Sequence, residues 1–183
     1  MGKRMRYLHR HKHPLSKIPA EEMESLTRIL LDDQTISVYC DYSGVQNQTL
    51  GGMGVCIVGD NETAVHSKLL YSDHINANVY GEIKAAIYGI EVASIALEKY
   101  GRRLTRPSNV IFFTDCLHLK VPMKFKKEYI IEAKEEFSAA FEMIARDYPM
   151  YQFDLQLIGE GKKHNMYYKA AHNAARKVIK RNS

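Results

Sequence analysis

Two strand-like segments within residues 37–59 constrain the fold more than any other part of this chain. In the first, apolar and polar residues alternate over residues 36–41, a period of two that is typical of a strand. The second is a β-branched apolar run at residues 55–58, opened by the glycine-rich segment 51–54. We therefore predict a hairpin with a longer loop, whose first strand ends on the carboxylate of Asp41.

The rest of the pattern predicts a third strand, followed by alternating helices and strands. Predicted strands cover residues 64–71, 110–115 and 151–158, and predicted helices cover residues 19–31, 78–100, 125–148 and from about 166 onward. Three successive strands indicate an antiparallel meander, and the later alternation adds parallel strands. We expect an α/β fold with a mixed five-stranded sheet flanked by helices. We divide the chain into a flexible basic arm (1–18), an N-terminal helix (19–34) and one domain (35–183).

The positive charge of the chain is concentrated at its N-terminus. The net charge is +5, yet residues 1–20 contain six lysines and arginines and no acid, so the rest of the chain carries −1. Such an arm is either a solvated tail or an electrostatic contact to nucleic acid. The sequence leaves both alternatives open.

The cysteines and the hydropathy pattern indicate a cytoplasmic protein. The three cysteines all lie in or beside apolar strand-like runs, without a CxxC pair, which favours buried thiols over disulfides or a zinc site. No apolar run approaches the roughly 20 residues of a membrane span, and the N-terminus lacks the apolar core of a secretory signal. We expect no membrane association and favour a monomer.

Three acidic residues occupy positions where they could meet. Asp41 and Asp115 each end a predicted strand, and Glu82 lies in the predicted first turn of a helix. Singly, these are ordinary positions for solvated acids or for a charge that interacts with the helix dipole. Together they could bind divalent cations, because carboxylate oxygens are the hard ligands that such ions prefer and parallel strands end at one edge of a sheet.

Five motifs resemble the type 1 ribonuclease H family in their order and spacing. They are D-x-S-G at 41–44, G-G-x-G-V at 51–55, N-x-x-x-E at 78–82, T-D-C at 114–116 and G-K-K-H-N-M-Y-Y-K-A-A-H-N-A-A at 161–175. The resemblance covers roughly residues 35–180 and implies a ribonuclease H-like fold. It also implies a metal-dependent endonuclease that cuts the RNA strand of RNA–DNA hybrids with two Mg²⁺ or Mn²⁺ ions. Asp41 would bridge the ions, while Glu82 and Asp115 would each complete one coordination shell.

Two positions depart from the family pattern. Counting without gaps from Gly161, His172 replaces the final aspartate, and it either completes the second metal site with a preference for Mn²⁺ or marks an inactive site. In the preceding loop, Lys162 stands where the family commonly has a histidine that assists proton transfer, with His164 two residues later. Either His164 takes that role or the role is vacant.

The resemblance also suggests which residues contact the nucleic acid. Candidates for the sugar edge of the RNA strand are Ser43, Gly44, Gln46, Asn76 and Asn78, and candidates for the DNA strand are Lys124, Lys126 and Lys127. Each could equally be an ordinary polar loop residue or a solvated lysine. Three other functions remain open: a nuclease for other structured nucleic acids, a non-catalytic nucleic-acid-binding module, and an interaction protein that binds no nucleic acid.

Overall fold

The computed structural model describes residues 19–45, 49–74, 78–100, 107–121, 125–159 and 164–182. Its elements are α1 (Ala20–Leu31), β1 (Thr35–Gly44), β2 (Leu50–Gly59), β3 (Glu62–Tyr71), α2 (Asn78–Tyr100), β4 (Asn109–Thr114), α3 (Leu117–Lys120), α4 (Glu128–Asp147), β5 (Gln152–Leu157) and α5 (Met166–Lys180).

One five-stranded sheet organises these elements, in the order β3-β2-β1-β4-β5. The β1–β2 and β2–β3 pairs are antiparallel, while the β1–β4 and β4–β5 pairs are parallel. This arrangement confirms the predicted meander with two parallel strands. It makes β1 the central strand, at the boundary between the antiparallel and parallel halves.

Helices cover both faces of β1, because its alternating side chains point into two separate cores. Ile36, Val38 and Cys40 pack in one core with residues of α2 and α4. Tyr39 packs on the opposite face with Tyr168 and other residues of α5 and with α1. Strand side chains alternate between the two faces, so Asp41 lies on the same face as Tyr39 and therefore faces α5.

The structure corrects the predicted end of the first strand. β1 does not stop at Asp41 but continues to Gly44, which pairs with Gly51 of β2. The parallel pairing with β4, in contrast, ends at Tyr39 opposite Phe113. Asp41 therefore lies two residues past the last β4 pairing, beside the point where the chain of β4 leaves the sheet. The short helix α3 was not predicted.

Two glycines let helices approach the sheet closely. A Cβ atom at Gly54 of β2 would lie 2.0 Å from the carbonyl oxygen of Ala171 in α5. A Cβ atom at Gly89 of α2 would lie 2.2 Å from Sγ of Cys40 in β1. A larger residue at either position would displace the helix. These contacts therefore set the distance of α5 from β2 and the distance of α2 from β1.

The prediction of buried, free cysteines is confirmed, and α1 packs against the domain. All three cysteines are buried as free thiols, and burial raises the pKa of Cys56 to about 12 and that of Cys116 to about 11. Leu26 anchors α1 with 4% exposure, and its carbonyl accepts a hydrogen bond of 3.1 Å from the hydroxyl of Tyr167. Within the described residues, no helix has the length and apolar character needed to cross a membrane.

Candidate active site

Three carboxylates meet at one edge of the sheet. Asp41 projects from β1 with 2% exposure, and Asp115 is the first residue after the neighbouring parallel strand β4. Glu82 reaches the same point from α2, which packs against β1. One oxygen atom from each of the three carboxylates lies within 4.8 Å of the others. The structure thus brings together the three acids that the sequence singled out.

Glu82 does not lie where the sequence placed it on the helix. Because α2 begins at Asn78, its first turn contains no acid, and Glu82 falls in the following turn. The interaction of Glu82 with the helix dipole is weak at that distance from the start of α2, because this interaction declines within one turn. The proximity of Glu82 to Asp41 and Asp115 says more about its role than its position along the helix.

Helix α5 contacts both oxygen atoms of Asp41. The hydroxyl of Tyr168 donates to Asp41 Oδ1, and Nδ1 of His172 lies 2.9 Å from Asp41 Oδ2. The Tyr168 hydroxyl also lies 3.0 Å from Oδ2 of Asp115. Tyr168 and His172 are four residues apart and so lie on one face of the helix. This face closes the carboxylate cluster from the side of α5.

A side-chain cap fixes the start of α5 just before Tyr168. Oδ1 of Asn165 accepts hydrogen bonds from the backbone N–H groups of Tyr167 at 3.0 Å and Tyr168 at 2.9 Å. These N–H groups would otherwise lack helical partners, and asparagine is among the preferred residues at this position. The cap therefore holds the first turn of α5, and Tyr168 with it, against the site.

Burial dominates the electrostatics of the cluster. It raises the pKa of Asp41, and the negative charge of Asp115 adds to the rise, while Tyr168 and His172 oppose it. Burial also raises the pKa of Tyr168, and the neighbouring carboxylates raise it further, Asp41 most strongly. Tyr168 therefore remains a protonated hydrogen-bond donor at neutral pH.

The donor set fits a hard divalent cation. Carboxylates on three separate, rigid elements offer oxygen atoms within 4.8 Å of one another. Mg²⁺ and Mn²⁺ are bound in proteins by a few such oxygens together with water. Carboxylates this close repel each other, and a bound cation would offset that repulsion.

The histidines singled out from the sequence differ in their relation to this cluster. His172 contacts Asp41 but is not a member of the cluster of mutually close ligand atoms, which within the described residues comprises the three acids. His164 is half-buried in the turn before α5 and is likewise not a member. Their roles in metal binding and proton transfer stay predictions.

The candidate substrate-binding residues are only partly described. Ser43 and Gly44 form the end of β1, Asn78 is the exposed first residue of α2, and Lys126 and Lys127 are exposed just before α4. Gln46, Asn76 and Lys124 lie outside the described residues, as do Gly161 and Lys162.

Tyr168 is the site residue that the sequence did not reveal. A tyrosine in an amphipathic helix is usually a core residue, and Tyr168 is indeed buried with 7% exposure. The available signal was its spacing from His172, because residues at i and i+4 share a helix face.

Comparisons with known proteins identify the fold. No protein-family model matches the chain, and no curated protein matches its sequence. Similar solved structures include RNase H1 from Halobacterium salinarum, with a TM-score of 0.57 and 12% identity over 80% of this chain and 98% of that one. The N-terminal RNase H domain of rv2228c from Mycobacterium tuberculosis gives a TM-score of 0.52 and 12% identity over 81% and 99%.

A third similar structure contains nucleic acid. LC11-RNase H1, isolated from compost, was solved in complex with an RNA/DNA hybrid, and it matches with a TM-score of 0.53 and 18% identity over 79% of this chain and 99% of that one. Together the three likenesses confirm the ribonuclease H-like fold of this chain.

Proposed function

We propose that the chain is a metal-dependent endonuclease that hydrolyses the RNA strand of RNA–DNA hybrids. The observation that carries this proposal is the convergence of Asp41, Glu82 and Asp115, with one oxygen of each within 4.8 Å of the others, on a ribonuclease H fold. The complex of the similar LC11-RNase H1 with an RNA/DNA hybrid supports the substrate.

Asp41, Glu82 and Asp115 would hold two divalent ions, with Asp41 shared between them. Bound ions would supply an activated water molecule and stabilise the anionic transition state of phosphodiester hydrolysis. Asp41 suits the shared position because its side chain is almost fully buried in the central strand and faces the other two acids. His172 would complete the second site directly or through water, and its imidazole favours Mn²⁺.

Proton transfer and product release would fall to His164. It lies in the turn that leads into α5, one residue before the cap Asn165. A residue just before this helix could approach a leaving group at the carboxylates, since Tyr168 in the first turn of α5 already contacts two of them. A bell-shaped pH–rate profile that loses one limb in His164→Ala would support this role.

The surface for the hybrid would include residues on both sides of the carboxylates. Ser43 and Gly44 at the end of β1 and Asn78 at the start of α2 would contact the RNA strand through sugar hydroxyls. Lys126 and Lys127 would contact the DNA strand. These lysines precede Tyr129, whose ring packs edge-on against Tyr80 of α2 with centroids 5.7 Å apart.

That ring contact joins the start of α4 to the start of α2, where Asn78 lies, one turn before Glu82. Nζ of Lys127 lies 5.7 Å from the centroid of the Tyr129 ring, which positions its charge beside the same contact. The basic N-terminal arm would add phosphate contacts and raise affinity without adding sequence specificity.

Cleavage of a labelled RNA–DNA hybrid tests this function. Hybrid, duplex DNA and duplex RNA are incubated with Mg²⁺ or Mn²⁺, with Asp41→Asn as the matched inactive variant. We expect cleavage of the RNA strand of the hybrid that disappears in the variant. Cleavage of duplex DNA or duplex RNA at a similar rate would instead favour a nuclease for other structured nucleic acid.

A non-catalytic nucleic-acid-binding module is the second candidate. The sequence of α5 contains no acid, and His172 stands where the ribonuclease H resemblance expects an aspartate. Loss of a metal-binding group commonly reduces activity strongly. Tight hybrid binding with no cleavage in either ion would establish this alternative.

A further inference from the structure

We propose that Tyr168 is a positioning residue that holds Asp41 and Asp115 in the geometry needed to bind a divalent cation. This inference rests on the metal site of the proposed function. It adds to that site a residue that does not bind the cation itself but orients the acids that would bind it.

The Tyr168 hydroxyl lies between two carboxylates that come from different strands. It donates to Oδ1 of Asp41 and lies 3.0 Å from Oδ2 of Asp115. A hydroxyl has one proton, so it can donate fully to only one of the two oxygens at a time. A cation shared by the two carboxylates would offset the remaining repulsion between oxygen atoms, while the hydroxyl, within hydrogen-bond distance of both, would limit the directions that the two side chains can take.

The hydroxyl can orient the acids without blocking them. Each carboxylate oxygen has two acceptor positions, so an oxygen that accepts a hydrogen bond from Tyr168 can still coordinate a cation. Asp41 is held in the same way at its second oxygen by Nδ1 of His172, 2.9 Å away. Both oxygens of Asp41 are therefore fixed in direction by α5.

Tyr168 is itself held rigidly, as a positioning residue must be. Its side chain is 7% exposed, and its backbone N–H is capped by Asn165 at 2.9 Å. One turn further along α5, the carbonyl oxygen of Ala171 lies so close to β2 that a Cβ atom at Gly54 would be 2.0 Å from it. The helix can therefore neither lift from the sheet nor shift without breaking these contacts.

The test measures Mn²⁺ binding directly in Tyr168→Phe, by titration calorimetry and by the electron paramagnetic resonance signal of free Mn²⁺. Removing a group that orients a metal ligand typically weakens metal affinity about 10- to 100-fold, and we expect a rise of that size in the Kd. Hybrid cleavage should require correspondingly more Mn²⁺ for half-maximal rate.

Tyr167→Phe is the matched control. It removes the same atom from the adjacent residue, whose hydroxyl donates to the carbonyl of Leu26, 3.1 Å away, outside the carboxylate cluster. We expect it to lower the thermal unfolding temperature while leaving the Kd for Mn²⁺ unchanged. A purely structural role of Tyr168 would instead give the two variants similar profiles.

Four results would overturn the inference. An unchanged Kd in Tyr168→Phe would show that the hydroxyl does not orient the ligands, and tighter binding would show that it competes with the cation. An absence of saturable Mn²⁺ binding in the wild-type chain, or binding that persists in Asp41→Asn, would overturn the metal site itself. The first two results leave the proposed function standing, whereas the last two remove it.

Discussion

Replacing Asp41 by asparagine is expected to stabilise the protein while abolishing the proposed cleavage of hybrids. Asp41 is buried with 2% exposure beside two other carboxylates. Its ionised form is therefore unfavourable in the folded chain when no cation is bound. Asparagine has nearly the same shape and retains an acceptor for the Tyr168 hydroxyl, so the substitution removes charge with little change in packing.

The expected gain follows from opposing contributions. At a separation of at most 4.8 Å between carboxylate oxygens, the like-charge interaction with Asp115 costs about 1 to 3.5 kcal/mol for effective dielectric constants between 80 and 20, and the larger cost of burying the charge adds to it. Against this, the hydrogen bonds to Tyr168 and His172 each weaken by about 1 kcal/mol when the acceptor becomes neutral. We expect a net stabilisation of about 2 kcal/mol, which corresponds to about 4–8 °C in Tm for a chain of this size.

The stabilisation should depend on pH in a defined direction. Because the pKa of Asp41 is raised in the folded state, the folded chain retains its proton at pH values where the unfolded chain has lost it. The contribution of Asp41 to stability is therefore fully present below the ordinary pKa of aspartate and is lost as pH rises through the folded value. The difference in Tm between Asp41→Asn and wild type should increase across that range and then level off.

Thermal unfolding in EDTA from pH 3 to pH 8 measures this difference. Asp33→Asn is the matched control, because Asp33 is exposed and precedes β1 at the opposite end from the site. We expect no comparable gain in that variant. A lower Tm for Asp41→Asn at pH 8, or equal gains in both variants, would refute the electrostatic reasoning. Added Mn²⁺ should raise the Tm of the wild type and leave that of Asp41→Asn nearly unchanged.

Three further perturbations test separate parts of the structure. Gly54→Val should destabilise the fold by about 1–3 kcal/mol in urea unfolding, because its side chain would overlap the carbonyl of Ala171, and an unchanged midpoint would contradict the close helix contact. His172→Ala should reduce Mn²⁺-supported cleavage at least tenfold, and unchanged activity and metal preference would exclude a role as ligand. Deletion of residues 1–18 removes six cations, so the affinity for the hybrid should fall less steeply with salt concentration. An unchanged salt dependence would show that the arm does not contact the nucleic acid.

The sequence was sufficient to predict the fold because most elements carry either a clear period or a compact apolar run. Alternation marked β1, and helical spacing marked α2 and α4, so their order alone indicated a mixed sheet. The predicted end of β1 was wrong because the last residues of the strand pair with β2 (Leu50–Gly59). That pairing depends on the loop between the two strands, whose sequence has no periodic pattern. The four-residue α3 is too short for a helical period to show.

Part of the candidate site could likewise be predicted from the sequence, and part could not. Asp41 and Asp115 were identifiable because both lie just beyond the last pairing of the adjacent parallel strands β1 and β4, and Glu82 because its helix packs on β1. Tyr168 was not, because its contact with these acids depends on how α5 is rotated and how closely it approaches β2. Backbone contacts such as that between Gly54 and Ala171 set this geometry, and the spacing of Tyr168 from His172 indicates only that the two share a helix face.

The composition of α5 determines how the carboxylates are stabilised. A fourth acid at this position would add negative charge to a cluster that already contains three carboxylates, which strengthens cation binding and destabilises the chain without the cation. Tyr168 and His172 instead provide a hydrogen-bond donor and an imidazole, which orient Asp41 without that added repulsion. If the site binds a cation as proposed, it would attract Mg²⁺ less strongly than a site with four acids, and the proposed catalysis would depend more strongly on exact positioning of the three acids.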